Sequence, residues 1–192
     1  DAGTAVHAFT LERAFKNIGQ YATYTGCFVN QLSLSIKPNE MITGTFSFVG
    51  LSGGKGKTPL SASPTPAPEG DPFDSFRGAL KVNETEIAVV TGIDLTLNNG
   101  IEPQYALFSR SAQAVSWGRS TLTGTLSAFY VDGNLPDYFI NDTRVKLEFT
   151  LERGEYSYTF LIPNITLTGA EDSAQSEGPI TLSVPWSAAL DA

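Results

Sequence analysis

Glu148 and Glu152, in the run LEFTLER, are the nearest approach to an acid–base pair in the chain. On a strand their even spacing puts both on one face, but about 13 Å apart at roughly 3.3 Å per residue. Glycosidase carboxyls stand roughly 5–9.5 Å apart, so this pair does not fit. Nucleophilic chemistry fares no better. The sequence has one cysteine, Cys27, and one histidine, His7, close to the start. Neither a triad nor a metal-ligand cluster is spelled out. Cys27 reads as a small buried apolar residue, and a lone cysteine allows no internal disulfide. Gly53-Gly54-Lys55-Gly56-Lys57-Thr58 lacks the glycine spacing of a phosphate cradle, and no helical pattern follows it. The acidic run Glu171 to Glu177 has no calcium-ligand spacing and reads as a solvated loop. Trp117, Trp186, Tyr105 and Tyr138 could serve as sugar platforms in a carbohydrate-binding or adhesive β-sandwich. They form no spaced row, so core or interface packing is preferred. The sequons at Asn83, Asn141 and Asn164 come without a signal-peptide pattern or disulfides and read as chance matches. The expectation is a protein that is not an enzyme and holds no cofactor or metal.

Composition points the same way. The 192 residues make one domain or a closely fused pair, with 41% hydrophobic residues and a net charge of −8. Short runs of Val, Ile, Thr, Phe and Tyr without a long helical pattern predict a mainly β chain. The acidic balance argues against wrapping nucleic acid, which needs clustered Lys and Arg. It does not argue against a surface that lets DNA slide past. No apolar run approaches the roughly 20 residues of a helical membrane span.

The chain is organised around Phe28 to Gly50, which reads as two strands joined by a turn at Lys37-Pro38-Asn39-Glu40. Leu32, Leu34 and Ile36 alternate with Ser33 and Ser35. Beyond the turn, Thr43, Thr45 and Ser47 alternate with Gly44, Phe46 and Phe48. One face is expected to be buried. The other carries hydroxyls where a solvated strand would usually carry Lys and Glu. The pattern returns in Ser120 to Tyr130, where Thr121, Thr123, Thr125 and Ser127 alternate with Leu122, Gly124, Leu126 and Ala128. TGT-x-S thus occurs twice, as does FTLER at Phe9 to Arg13 and Phe149 to Arg153.

Around these runs the spacing predicts a first strand near Phe9 and Leu11, and a loop over Lys16 to Gln20. Ile87 to Leu97 is a strand pair, or one strand kinked at Gly92, followed by a turn at Asn98-Asn99-Gly100. Pro103 to Trp117 reads as a loop with a helical turn around Tyr105 to Phe108. Asn134 to Asn141 is a short helix with Pro136 in its first turn. Arg144 to Arg153 and Tyr156 to Ile162 form a hairpin about Arg153-Gly154-Glu155. Asn164 to Leu167 is another short strand, and Ile180 to Trp186 is a last strand that Pro185 places at an edge. Residues 51–78, rich in Gly, Pro and Ser, are expected as one long loop within a single domain. It is either mobile or an arm that orders against a partner.

The run FTLERAFKNIGQYATYTGCFVNQLSLSIKPNEMITGTFSFVG, with GIDLTLNNG, WGRSTLTGTLSAFY, LPDYF and GPITLSVPWSAAL after it, resembles the tail tube proteins of long, flexible-tailed phages. Relative to that family, an N-terminal portion preceding FTLER is expected to be missing. The resemblance implies an antiparallel β-sandwich or barrel of the tail tube type with one short helix. It implies stacked, hexameric rings that conduct DNA as cargo, and contact with tape-measure, tail-tip and terminator proteins. The protein would be assembled in the host cytoplasm and end in the virion tail. On that basis Ser33, Ser35, Thr43, Thr45, Ser47, Thr121, Thr123, Thr125 and Ser127 are expected to line or flank the lumen. An outer face or subunit contact is the alternative for the same residues. The long loop, with Lys55, Lys57, Pro59, Pro64, Pro66, Pro68, Asp71 and Phe73, is expected to reach the neighbouring ring.

Overall fold

The computed structural model describes residues 6–67, 69–70, 72–73, 78–86, 90–130, 134–173 and 179–188. In chain order the strands are β1 (Phe9–Phe15), β2 (Gln20–Ile36), β3 (Thr43–Val49), β4 (Ser52–Gly56), β5 (Gly78–Val82), β6 (Thr85–Glu86) and β7 (Val90–Asn98). They continue with β8 (Ile101–Tyr105), β9 (Ala112–Trp117), β10 (Thr121–Phe129), β11 (Val145–Arg153), β12 (Tyr156–Leu167), β13 (Glu171–Ser173) and β14 (Thr181–Ala188). Among the described residues one helix, α1 (Asn134–Ile140), lies between β10 and β11, and a single 3-10 turn covers Lys16–Ile18. The fold is mainly antiparallel β with one short helix, as expected. Contacts group the chain into two compact units. The first is Asp1–Leu32, Phe46–Glu69 and Asn98–Ser120; the second is Ser33–Thr45, Gly70–Leu97 and Thr121–Ala192.

In the first unit, β2 pairs with β1 on one side and β4 on the other, both antiparallel. The β4 strand corrects the expectation of an uninterrupted loop over residues 51–78. Its sequence SGGKG has low strand propensity, but Gly53 lies where a side chain would crowd Tyr24, with a Cβ 3.2 Å from Cδ1. Glycine is what lets this edge strand lie under that ring. A second correction is the β8–β9 hairpin, where a loop with a helical turn is expected. Ile101 pairs with Trp117 and Tyr105 with Ala112, in a two-stranded sheet of its own. Pro103 is tolerated because the hairpin has free edges. Side-chain amides fix its base. Asn30 Oδ1 accepts from Ile101 N at 2.7 Å, and Asn99 Nδ2 donates to Val29 O at 2.9 Å. The Asn98-Asn99-Gly100 turn forms, with Gly100 at φ +59 and its N–H donating to Asn98 Oδ1.

The second unit holds the core. Its strand order is β7-β10-β14-β12-β11-β5-β6, with β13 beside β14, and among the described residues it is open rather than closed into a barrel. Every other residue of β11, namely Val145, Leu147, Phe149 and Leu151, is buried. They join Ile93 and Leu95 of β7, Leu126 and Ala128 of β10, Ile165 and Leu167 of β12, and Leu182, Val184 and Trp186 of β14. Each large side chain so buried contributes about 1.5–3 kcal/mol. Phe149 stacks on Phe160 with centroids 4.6 Å apart. The β11–β12 hairpin turns at Gly154, φ +59, as expected, and β12 runs on through Leu167 without a separate strand. β7 passes through Gly92 unbroken; residues 87–89 lie outside the described residues.

Pro185 does not mark an edge. β14 is central, paired with β10 on one side and with β12 and β13 on the other. β13 pairs as far as Ser183 and β12 only from Trp186. Pro185 O accepts from Thr168 N at 2.8 Å, toward that second side. A strand residue directs its N–H and C=O to the same neighbour. The missing N–H therefore falls in the gap between β13 and β12 and costs no ladder bond.

Candidate functional site

Cross-strand register sorts the side chains of the second unit into two faces, since directly opposed residues share a face. Gly124 opposes Trp186, Leu126 opposes Val184 and Ala128 opposes Leu182 on the core side. On the other side Thr123 opposes Ser187, Thr125 opposes Pro185 and Ser127 opposes Ser183. Ser33 Oγ lies 3.3 Å from Thr96 Oγ1 of β7, which brings β2 and β7 into the same hydroxyl face. Ser35, Thr43, Thr45 and Thr121 follow by alternation, Thr43, Thr45 and Thr121 being exposed. Ser47 belongs to the first unit, where it is exposed. The structure thus brings Ser33, Thr123, Thr125 and Ser127 onto one surface. It adds Thr96, Ser183, Ser187 and Thr166, the last of these opposite Ser187. The added residues were visible as the polar partners in IDLTL and TLSVPWS, runs whose apolar half alone marks them as strands. Asp94 is the ionisable side chain of β7 on this face, and it is exposed. Beyond β12 the same side turns ionic: Glu148 lies 3.7 Å from Lys81 and 3.5 Å from Lys146, and Lys146 lies 3.6 Å from Glu84.

Beneath that face Trp186 is 2% exposed, and its Nε1–H has no hydrogen-bond partner among the described residues. A buried unpaired donor costs about 1–3 kcal/mol. Its ring lies against Gly124, where any Cβ would meet both Trp186 and Asp94 O well inside contact distance. Of the other proposed platform aromatics, Tyr138 is half-buried against the core. Trp117 makes an edge contact with Phe28 at 5.5 Å and opposes Ile101, at the other end of its hairpin from Tyr105. No aromatic row results, so the sugar-binding alternative finds no support here. Glu148 is engaged by two lysines, and Ser52–Gly56 is strand rather than phosphate cradle.

The first unit has a different surface. Its buried apolar side chains among the described residues are Ala22, Cys27, Ile101 and Ala112, against fifteen in the core cluster of the second unit. Burial of Cys27 is as expected. Phe46 and Phe48 are not buried as the alternation predicts: they are 58% and 39% exposed. They cover one another and Phe9 instead, with Phe9–Phe48 centroids 6.0 Å apart and Phe46–Phe48 6.5 Å apart. Six of the seven residues of β3 are exposed, so neither of its faces is covered along most of its length.

The long Gly/Pro/Ser-rich stretch is tied down at both ends. Lys55 sits in β4 opposite Ala22. Leu60 N donates to Glu12 Oε2 at 2.6 Å. Lys57, Pro64 and Pro66 are exposed and Pro59 is half-buried, while Pro68 and Asp71 lie outside the described residues. Phe73 belongs to the second unit, where its ring meets Tyr158 at 5.4 Å and its carbonyl accepts from Ile42 N.

Together these features define a β protein built around surfaces: one sheet face of hydroxyls and a first unit whose aromatics remain uncovered. Residues 1–188 match the model of the phage tail tube protein family, and the chain belongs to that family. No curated protein matches the chain. Family membership makes it a structural protein of the phage tail that associates with itself there.

Proposed function

We propose that this chain is a tube subunit whose copies form stacked, hexameric rings around a channel for DNA. The observation that carries this is the sparse burial in the first unit beside its exposed aromatics. Strands that leave large apolar side chains in water on their own gain stability when copies cover them. The hydroxyl face of β2, β3, β7, β10 and β14 is the lumen lining. It is wet, and it carries few of the Lys and Arg whose phosphate contacts a moving DNA would have to break. Residues 57–67, held at Glu12, reach toward the neighbouring ring. Tape-measure, tail-tip and terminator proteins meet the tube at its bore and ends, after assembly in the host cytoplasm. Light scattering followed by negative-stain imaging of one sample tests this. Rings or tubes with a central hole are expected. A protein that stays monomeric at all concentrations refutes it.

A further inference from the structure

The β8–β9 hairpin ends in Tyr105-Ala106-Leu107-Phe108, with Leu107 88% and Phe108 105% exposed. This tip is built, not loose. Ser109 N donates to Ala106 O, Ser109 Oγ donates to Ser111 O at 2.6 Å, and Gln113 Nε2 donates to Ser109 Oγ at 2.9 Å. Phe108 sits at φ +64, a left-handed conformation uncommon for a bulky residue. Strain of this kind persists where surrounding structure imposes it and clusters at functional positions. Where the tip joins the strands, Ala112 N donates to Leu51 O and Ala112 is buried, while Ile101 is buried at the hairpin's base. A fixed hairpin therefore holds two large apolar side chains entirely in water.

We infer that this tip is a knob that docks on a second copy of the chain, against the exposed aromatics Phe9, Phe46 and Phe48. The inference rests on the tube reading and names a contact within it. Three observations select the occupant. Membership in a tail tube family makes copies of this chain the neighbours in the assembly. The chain itself supplies an uncovered aromatic surface, with Phe9 45%, Phe46 58% and Phe48 39% exposed, of a chemistry that matches Leu107 and Phe108. Arg110 flanks the tip and is exposed, and a second copy, of net charge −8, is a neighbour of the sign it favours. Knob and acceptor are different patches of one subunit, which makes the contact heterologous. Such contacts close into rings or propagate along a filament.

The test uses Leu107→Asp and Phe108→Asp, singly. Both side chains are almost wholly exposed, and Asp tolerates the left-handed backbone at position 108. Circular dichroism and the urea midpoint should therefore match the parent. The concentration needed for rings or tubes should rise at least about 10-fold, as expected on losing an anchor residue. In parallel, a photoreactive benzoylphenylalanine in place of Phe108 should give a covalent dimer, with the crosslink on a peptide containing Phe46 and Phe48 or Phe9. Variants that assemble like the parent, or crosslinks that map elsewhere, overturn the inference and leave the tube reading intact. A parent protein that does not assemble overturns both.

Discussion

Gly44 and Gly124 occupy the same place in the repeated TGT-x-S pattern, yet substitution by alanine should have opposite effects. A Cβ on Gly124 would lie 2.6 Å from Trp186 Cε2, and closer still to Trp186 Cζ2 and Asp94 O. Ordinary contact begins near 3.4 Å, so Trp186 must give by at least about 0.8 Å and the β7 carbonyl by more. Neither can move cheaply, because Trp186 is buried and Asp94 O is backbone. The cost should reach the upper end of overpacking, about 3 kcal/mol. With a urea dependence of roughly 2 kcal/mol per M, the midpoint falls by about 1.5 M. A Cβ on Gly44 meets only Leu34 Cδ1 at 3.6 Å and Ser33 O at 3.7 Å. Gly44→Ala should be neutral or stabilising by up to about 1 kcal/mol, through loss of unfolded-chain freedom. Urea titration followed by tryptophan emission, to which buried Trp186 and half-exposed Trp117 both contribute, reads both, at concentrations low enough to keep the protein monomeric. A Gly124→Ala midpoint within about 0.3 M of the parent would refute the close packing of β7, β10 and Trp186.

Other predictions are smaller in scale. Asn30→Ala removes the acceptor for Ile101 N and should cost about 1–2 kcal/mol; faster amide exchange at the base of the β8–β9 hairpin checks it. Glu148→Gln breaks two partly exposed ion pairs and should cost no more than about 1 kcal/mol, an effect that fades in high salt. Cys27, 2% exposed, should react with a thiol reagent in step with unfolding rather than in the native protein; stoichiometric native labelling would contradict its burial.

Elements with a complete local signal were legible in the sequence. β11 shows its core face in Val145, Leu147, Phe149 and Leu151, the β11–β12 turn is marked by Gly154, and α1 starts as Pro136 indicates. The misread elements are those in which a partner overrides local propensity. β4 takes a glycine at position 53 because Tyr24 lies over it, and β14 keeps Pro185 because its N–H side meets the gap between the end of β13 and the paired end of β12. β8–β9 is held by amides of Asn30 and Asn99, and Asn30 lies far away in sequence. The hydroxyl face was half legible. Ser33 and the β10 residues stand out by alternation, but register was needed to place Thr96, Ser183 and Ser187 beside them.

That register makes the lumen assignment testable residue by residue. Thr123 is exposed, and its opposite partner Ser187 is half-buried. An arginine at position 123 displaces no core atom and should change stability by less than about 0.5 kcal/mol. If this face lines the channel, each ring gains one cation per subunit directed at the passing phosphates. Every phosphate contact adds to a binding term that weakens steeply with salt. Particles carrying Thr123→Arg tails should assemble normally but eject DNA more slowly at low ionic strength, with the deficit shrinking as salt is raised. Thr123→Gln, similar in reach but uncharged, should eject like the parent. Equal ejection by all three at every salt concentration would move this face out of the lumen. An assembly defect in Thr123→Arg with a normal urea midpoint would make it a contact between subunits instead.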